Sequence, residues 1–274
     1  MDFSKISAQG LVLLGCGKMG SAMLQGWLAN GLNASAVSVI DPHPSEWVQG
    51  LVADGLTLNG DVPENPAIVL IAVKPQMMGD ALPVLRPLGD GKTVFLSIAA
   101  GTSIASFAAL LGENTPIIRA MPNTPAAIAR GITALVGNEL IDESQLAMAE
   151  GLLSAVGQTV RLNDEIHMDA VTAVSGSGPA YVFHLIETLA AAGVAQGLSA
   201  DLAMKLAKAT VAGAGQLAED ANEDPAQLRI NVTSPAGTTA AALDVLMDEE
   251  IGFPPLLNKA VKAAADRGRE LGKS

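Results

Sequence analysis

The chain has a single cysteine, Cys16, among its 274 residues, so it closes no disulfide within itself and builds no cysteine-based metal site. That economy predicts a reducing compartment, the cytoplasm. Histidine is almost as scarce: only His43, His167 and His184 are present, and none falls in a catalytic or metal-binding motif. Basic residues are the third shortage, with Lys+Arg at 16 against 28 for Asp+Glu and a formal net charge of −12. This is the wrong sign for gripping a phosphate backbone, which argues against nucleic acid as a partner. An anionic substrate would have to be held by local dipoles and hydrogen bonds against the field of the whole protein. Long apolar runs are missing too. The best stretch, Ala180 to Ala195, is interrupted by His184 and Glu187, so no membrane span is expected. Aromatic residues make up only 3%, while Ala, Gly, Leu and Val abound, a composition suited to helices packed closely on a parallel sheet.

What the chain does have begins at Leu11. The short apolar run Leu11 to Leu14 ends in Gly15-Cys16-Gly17-Lys18-Met19-Gly20, a helical pattern follows to Asn30-Gly31, and a second run, Val37 to Ile40, ends at Asp41. Leu13-Leu14-Gly15-Cys16 resembles the cleavage box of a bacterial lipoprotein signal, but the apolar run before it is far too short for one. Strand, glycine turn, helix, strand is the order of a dinucleotide-binding unit. Gly15 serves the tight turn, Gly17 lets the backbone approach a pyrophosphate, Gly20 permits close helix packing, and Asp41 is placed to accept a hydrogen bond from a ribose hydroxyl.

The alternation continues. Ala67 to Val73 is a fully apolar run of the kind a central parallel strand shows, and it stops at Lys74-Pro75. Thr93 to Ile98 ends in Ala99-Ala100-Gly101, and Ile117 to Met121 ends in Pro122-Asn123-Thr124-Pro125. In open α/β sheets ligands sit beyond the carboxyl ends of the strands, so these turns are expected to line one crevice. Strand signals vanish from about Asp164. Helices are predicted over Ser177–Gln196, Ser199–Glu219, Pro225–Asn231, Thr238–Glu250 and Pro254–Leu271. The fold class that follows is a doubly wound α/β Rossmann domain, 1–163, followed by an all-α helical domain, 164–274.

Two loops in the helical part carry chemistry. Val174-Ser175-Gly176-Ser177-Gly178-Pro179 opens the first long helix with small residues that allow close approach, Ser177 among them. Ser234-Pro235-Ala236-Gly237-Thr238-Thr239 leads straight into an Ala-rich helix, which gathers N–H groups and hydroxyls where a small anion would be bound.

Taken in order, Leu14 to Gly20, Ala72 to Pro75, Ser97 to Gly101, Arg119 to Pro125, Val174 to Tyr181 and Ser234 to Thr239 resemble the pyrroline-5-carboxylate reductase family over nearly the whole chain. The resemblance implies reduction of 1-pyrroline-5-carboxylate to L-proline by NAD(P)H, the last step of proline synthesis, in a homodimer or a multiple of dimers joined through the helical domain. It implies that Thr239 hydrogen-bonds the ring nitrogen while Ser234 and the N–H groups of Gly237 and Thr238 hold the carboxylate. On the coenzyme side it places Gly15, Gly17, Lys18, Met19 and Gly20 at the pyrophosphate. Val73, Lys74 and Pro75 fall along the ribose edge, Ala99, Pro122 and Asn123 near the nicotinamide, and Asn59 at the adenosine ribose.

Two departures stand out. Many relatives have Gly-Gly where this chain has Ala236-Gly237, and Asp41 is followed by no basic residue before Lys74, which favours NADH over NADPH. Two alternatives stay open at this level. One is a different dehydrogenase on the same scaffold, such as a 3-hydroxyacid dehydrogenase, although no lysine lies between Lys92 and Lys205 to serve as its acid. The other is a non-catalytic dinucleotide sensor.

Overall fold

The computed structural model describes residues 2–272. Among them, eight strands form one sheet in the order β3-β2-β1-β4-β5-β6-β7-β8. The strands are β1 (Leu11–Leu14), β2 (Val37–Ile40), β3 (Thr57–Leu58), β4 (Ile68–Ile71), β5 (Val94–Ser97), β6 (Ile117–Met121), β7 (Gly131–Gly137) and β8 (Gly157–Arg161). The helices that accompany them are α1 (Ser4–Gln9), α2 (Lys18–Ala29), α3 (Glu46–Gly50), α4 (Met78–Ala81), α5 (Ile104–Leu111), α6 (Glu143–Leu153) and α7 (Met168–Val171). The central strands are continuous apolar runs because both of their faces are covered. Leu11 and Leu13 point into a core with Trp27, Leu70 and Leu153, and their neighbours Val12 and Leu14 into a second core with Phe95, Phe107 and Ile117. The period of two along a strand divides one hydrophobic run between two cores. Trp27 also donates its indole N–H to the Leu152 carbonyl at 2.9 Å, tying α2 to α6.

The sheet is parallel from β3 through β6, and beyond β6 it gains two strands that the sequence reading does not place. β7 runs antiparallel to β6, and β8 is parallel to β7. A parallel crossover needs a dozen or more residues, and the short connection Pro122–Arg130 allows only a reversal. β8 is a polar edge strand with Gln158, Thr159 and Arg161, its guanidinium held by Glu143 and Glu150 of α6 at 2.8 and 2.7 Å.

By contacts the chain divides into two compact units, one running to Gly176 and resuming at Ala265, the other Ser177–Ala264. The first thus extends past Asn163, because α7 and the π-helical turn Thr172–Gly176 belong with the sheet. The second unit is built from α8 (Gly178–Ala195), α9 (Ala200–Asp220), α10 (Pro225–Asn231), α11 (Thr238–Leu246) and the first part of α12 (Phe253–Leu271). Its α8 and α9 pack through Ala190, Ala203 and Ala207, and a Cβ on Gly193 would lie 3.2 Å from that of Ala203. α11 stops at Leu246, short of the predicted Glu250, because the Asp248 carboxylate accepts the N–H groups of Glu250 and Ile251 and forms a turn there. No helix among the described residues is long and apolar enough to cross a membrane.

Candidate functional site: a crevice at the strand ends and an open helix start

The sheet order reverses between β1 and β4, since the chain leaves β1 toward β2 on one side and β4 toward β5 on the other. At such a switch point the loops part and leave a crevice. Here it has a volume of about 290 Å³ and is lined by Met19, Ala72–Pro75, Ile98–Ala100, Met121–Thr124 and Gly176. The expected Met19, Val73, Lys74, Pro75, Ala99, Pro122 and Asn123 are therefore brought together.

The glycine loop beside them fits a pyrophosphate on its own geometry. Gly15 has φ +86°, and a Cβ there would sit 2.8 Å from Val73. A Cβ on Gly20 would come within 2.5 Å of the Gly15 carbonyl, so α2 is pressed against the loop, whereas Gly17 faces open space. No side chain caps α2, whose first residue is Lys18. Its first N–H groups therefore have no side-chain partner, the arrangement that suits an anion.

Asp41 and Asn59 do not line the crevice. They form a brace behind the glycine loop. One Asp41 carboxylate oxygen accepts the Cys16 N–H at 2.6 Å and the other the His43 N–H at 2.8 Å. Asn59, at φ +51°, spends its side-chain amide on Asp41, accepting its N–H and donating to its carbonyl, both at 2.8 Å. The sequence places Asp41 as a ribose acceptor. The structure adds that each carboxylate oxygen already holds a main-chain donor, with capacity left for one more. Burial pushes the neighbouring Cys16 thiol above its ordinary pKa, a hydrogen bond with Ser21 opposes this, and the Asp41 charge adds to it.

In the helical unit, Ser234 to Thr239 forms a tight turn. The Gly237 N–H donates to the Ser234 carbonyl at 3.0 Å, and Ala236 adopts φ +55°, a left-handed backbone that costs an L-residue about 1–2 kcal/mol. This bears on one expected role. The Gly237 N–H donates within the turn, and a Cβ on Gly237 would lie 2.4 Å from the Ser234 hydroxyl and 3.1 Å from its carbonyl oxygen. Beyond it, α11 starts without a side-chain cap. By contrast α5, α6, α9 and α10 are capped by Ser103, Asp142, Ser199 and Asp224. The N–H groups of Thr238 and Thr239 therefore stand free of intrahelical and capping partners. Ser177 immediately precedes α8, likewise without capping it.

Comparison with known proteins accords with both features. Residues 165–271 match the family model for pyrroline-5-carboxylate reductase dimerisation, and residues 10–101 that for coenzyme F420-dependent NADP oxidoreductase. The chain is 37% identical to the pyrroline-5-carboxylate reductase of Pseudomonas aeruginosa over 98% of both proteins. It belongs to the pyrroline-5-carboxylate reductase family. The Synechocystis pyrroline-5-carboxylate reductase is 39% identical, with 96% of this chain and 98% of that one covered. Among solved structures, the Coxiella burnetii pyrroline-5-carboxylate reductase superposes with a TM-score of 0.89 at 32% identity, covering 97% of this chain and 99% of that one. The Plasmodium falciparum pyrroline carboxylate reductase with NADP bound reaches 0.83 at 28% identity, over 97% and 99%. Membership of this family of NAD(P)-linked oxidoreductases decides against the sensor and the 3-hydroxyacid dehydrogenase.

Three residues, Ser175, Arg119 and Glu165, have contacts around the crevice that a reading of the sequence does not assign. Ser175 accepts from the Asn123 amide at 3.3 Å while the Asn123 carbonyl takes the Ile132 N–H at 3.0 Å. Arg119 is buried on β6 and paired with Glu165. Only the arginine carries a sequence signal, a charge inside an otherwise apolar strand.

Proposed function

We propose that the chain reduces 1-pyrroline-5-carboxylate to L-proline, and that the observation carrying this reading is the uncapped, hydroxyl-flanked start of α11. NAD(P)H bound in the crevice would supply a hydride for the imine carbon, and the ring nitrogen, having taken a proton from solvent to form the iminium, would end as a secondary amine. Ser234 and the N–H groups of Gly237 and Thr238 hold the substrate carboxylate, with the free Thr239 N–H beside them. The helix start contributes about 0.3–1 kcal/mol, up to about 2 if partly buried, and the hydrogen bonds supply the rest. The Thr239 hydroxyl hydrogen-bonds the ring nitrogen and favours its protonated form, which makes the imine carbon more electrophilic. Ser177 lets the ring approach the backbone closely. Orientation of the reacting atoms, rather than a covalent nucleophile, is what such a reaction needs.

Coenzyme binding is assigned to residues 1–163, with Gly15, Gly17, Lys18, Met19 and Gly20 at the pyrophosphate and Val73, Lys74 and Pro75 along the ribose edge. Ala99, Pro122 and Asn123 take the nicotinamide, and Asp41, backed by Asn59, the adenosine ribose. Substrate binding and assembly into a homodimer, or a multiple of dimers, are assigned to 164–274. The enzyme works in the cytoplasm. NADH is favoured because the Asp41 charge repels a 2′-phosphate and the sequence from Met19 to Val73 offers no Lys or Arg to offset it.

Initial rates with pyrroline-5-carboxylate, using NADH and NADPH in separate runs, test the reading. Turnover with NADH at least equal to that with NADPH is expected, and no coenzyme oxidation with either overturns it. Asp41→Ser is expected to move the kcat/KM ratio toward NADPH by about tenfold, or about 1.4 kcal/mol. An unchanged ratio removes Asp41 from coenzyme selection.

A further inference from the structure

Arg119 is 6% exposed, on a strand whose other residues are apolar or small. Its Nη1 donates to Glu165 Oε1 at 2.7 Å, and its Nη2 lies 3.9 Å from Asp169 Oδ1. The same Glu165 oxygen accepts the Ile104 N–H at 2.9 Å. Taking a guanidinium out of water is costly, and a buried ion pair of this kind is weak evidence of a stability role. Buried, hydrogen-bonded to Glu165 and facing Asp169, Arg119 is also not placed to bind a substrate carboxylate.

What the cluster does is fasten three walls of the crevice to one another. Arg119 stands two residues before Met121, on the strand that runs on into Pro122 and Asn123. Ile104 opens α5, just beyond the turn Ala99–Gly101. Glu165 and Asp169 begin the stretch that ends in the π-helical turn Thr172–Gly176, a geometry that is uncommon in helices and concentrated at functional sites. The far end of that stretch is fitted to the same walls. Ser175 accepts from Asn123, and a Cβ on Gly176 would come within 2.5 Å of the Met121 methyl. Gly15 to Gly20 and Asp41 take no part in the cluster.

We propose that Arg119 is a positioning residue for hydride transfer. Through Glu165 it sets the spacing of the Ala99, Asn123 and Gly176 walls, and so the seat of the nicotinamide ring, leaving the pyrophosphate and adenosine end untouched. This rests on the assignment of the crevice to the coenzyme. A displacement of about 1 Å in such a seat is worth on the order of a hundredfold in rate.

The test compares Arg119→Lys, Arg119→Met and Glu165→Gln with wild type by kcat, by ADP affinity from calorimetry, and by the primary isotope effect with coenzyme deuterated at the transferred C4 position. Arg119→Met is expected to lower kcat tenfold to a hundredfold and to raise the isotope effect on kcat, with ADP affinity within twofold of wild type. Arg119→Lys recovers part of the rate. Glu165→Gln, which keeps an acceptor for Ile104 but loses the charge, falls between, and it decides the matter if Arg119→Met does not fold. An unchanged kcat and isotope effect overturns the role of Arg119, as does ADP affinity falling in step with kcat. Wild-type protein that fails to bind ADP overturns the coenzyme assignment itself, a distinguishable result.

Discussion

The sheet unit closes around Trp27, Phe95 and Phe107, each fully buried, whereas among the described residues of Ser177–Ala264 the packed centre is Ala190, Ala203 and Ala207. Phe183, Leu206 and Leu256 in that second unit are 58%, 49% and 57% exposed. Both regions are rich in apolar residues, so composition does not separate them. What separates them is where the large side chains point. A sheet covered on both faces completes its own core, while helices that bury their alanines and expose their leucines carry an incomplete one. The dimerisation model that matches residues 165–271 covers that incomplete region.

The comparison is broken most severely by charging the exposed apolar face. Phe183→Asp combined with Leu206→Asp is expected to leave no dimer at micromolar concentration by light scattering, and to lower kcat/KM by more than a hundredfold. Burial of a Phe or Leu is worth roughly 1.5–3 kcal/mol each, and a charge reverses the gain. Ile128 in the sheet unit is 74% exposed, and Ile128→Asp is the control expected to change neither. A stable, active monomer from the double variant contradicts the reading.

A smaller effect separates chemistry from coenzyme binding. Thr239→Val is expected to cost about a hundredfold in kcat/KM, or about 2.7 kcal/mol, with NADH affinity unchanged. Wild-type turnover removes Thr239 from the site. Smaller still is Ala236→Gly. Relief of a left-handed alanine is worth about 1–2 kcal/mol, against about 0.4–1 kcal/mol for the extra freedom glycine keeps in the unfolded chain. The net gain is expected to raise Tm by about 2 °C. A lower Tm means that the turn is not strained.

The coenzyme half was legible because its signals are local. Leu11 to Asp41 spells strand, glycine turn, helix and strand within one short stretch, and each later loop is punctuated by Gly or Pro. β7 and β8 were not legible. Gly131 and Gly137 bracket β7 with residues that read as turns, and β8 is a polar edge with little alternation. The Arg119–Glu165 pair joins residues 46 positions apart, a pairing that no local pattern announces. Asp41 shows the limit within a correct motif. Its position marks the end of β2, but only the fold reveals that Cys16 and His43 each donate to its carboxylate.

The chain leaves the sheet unit at Gly176 and returns to it only at Ala265, and a Cβ on Gly101 would touch Leu271 at 3.3 Å. A ribosome adding about 5–20 residues per second needs roughly 5–20 s to make the intervening stretch. During that time the strands and their helices have been made but lack the last turns of α12. The nascent sheet unit therefore waits, incomplete along the flank that includes Gly101, until residues 265–271 have been made. Truncation before Ala265 consequently damages strands that were made long before the missing residues.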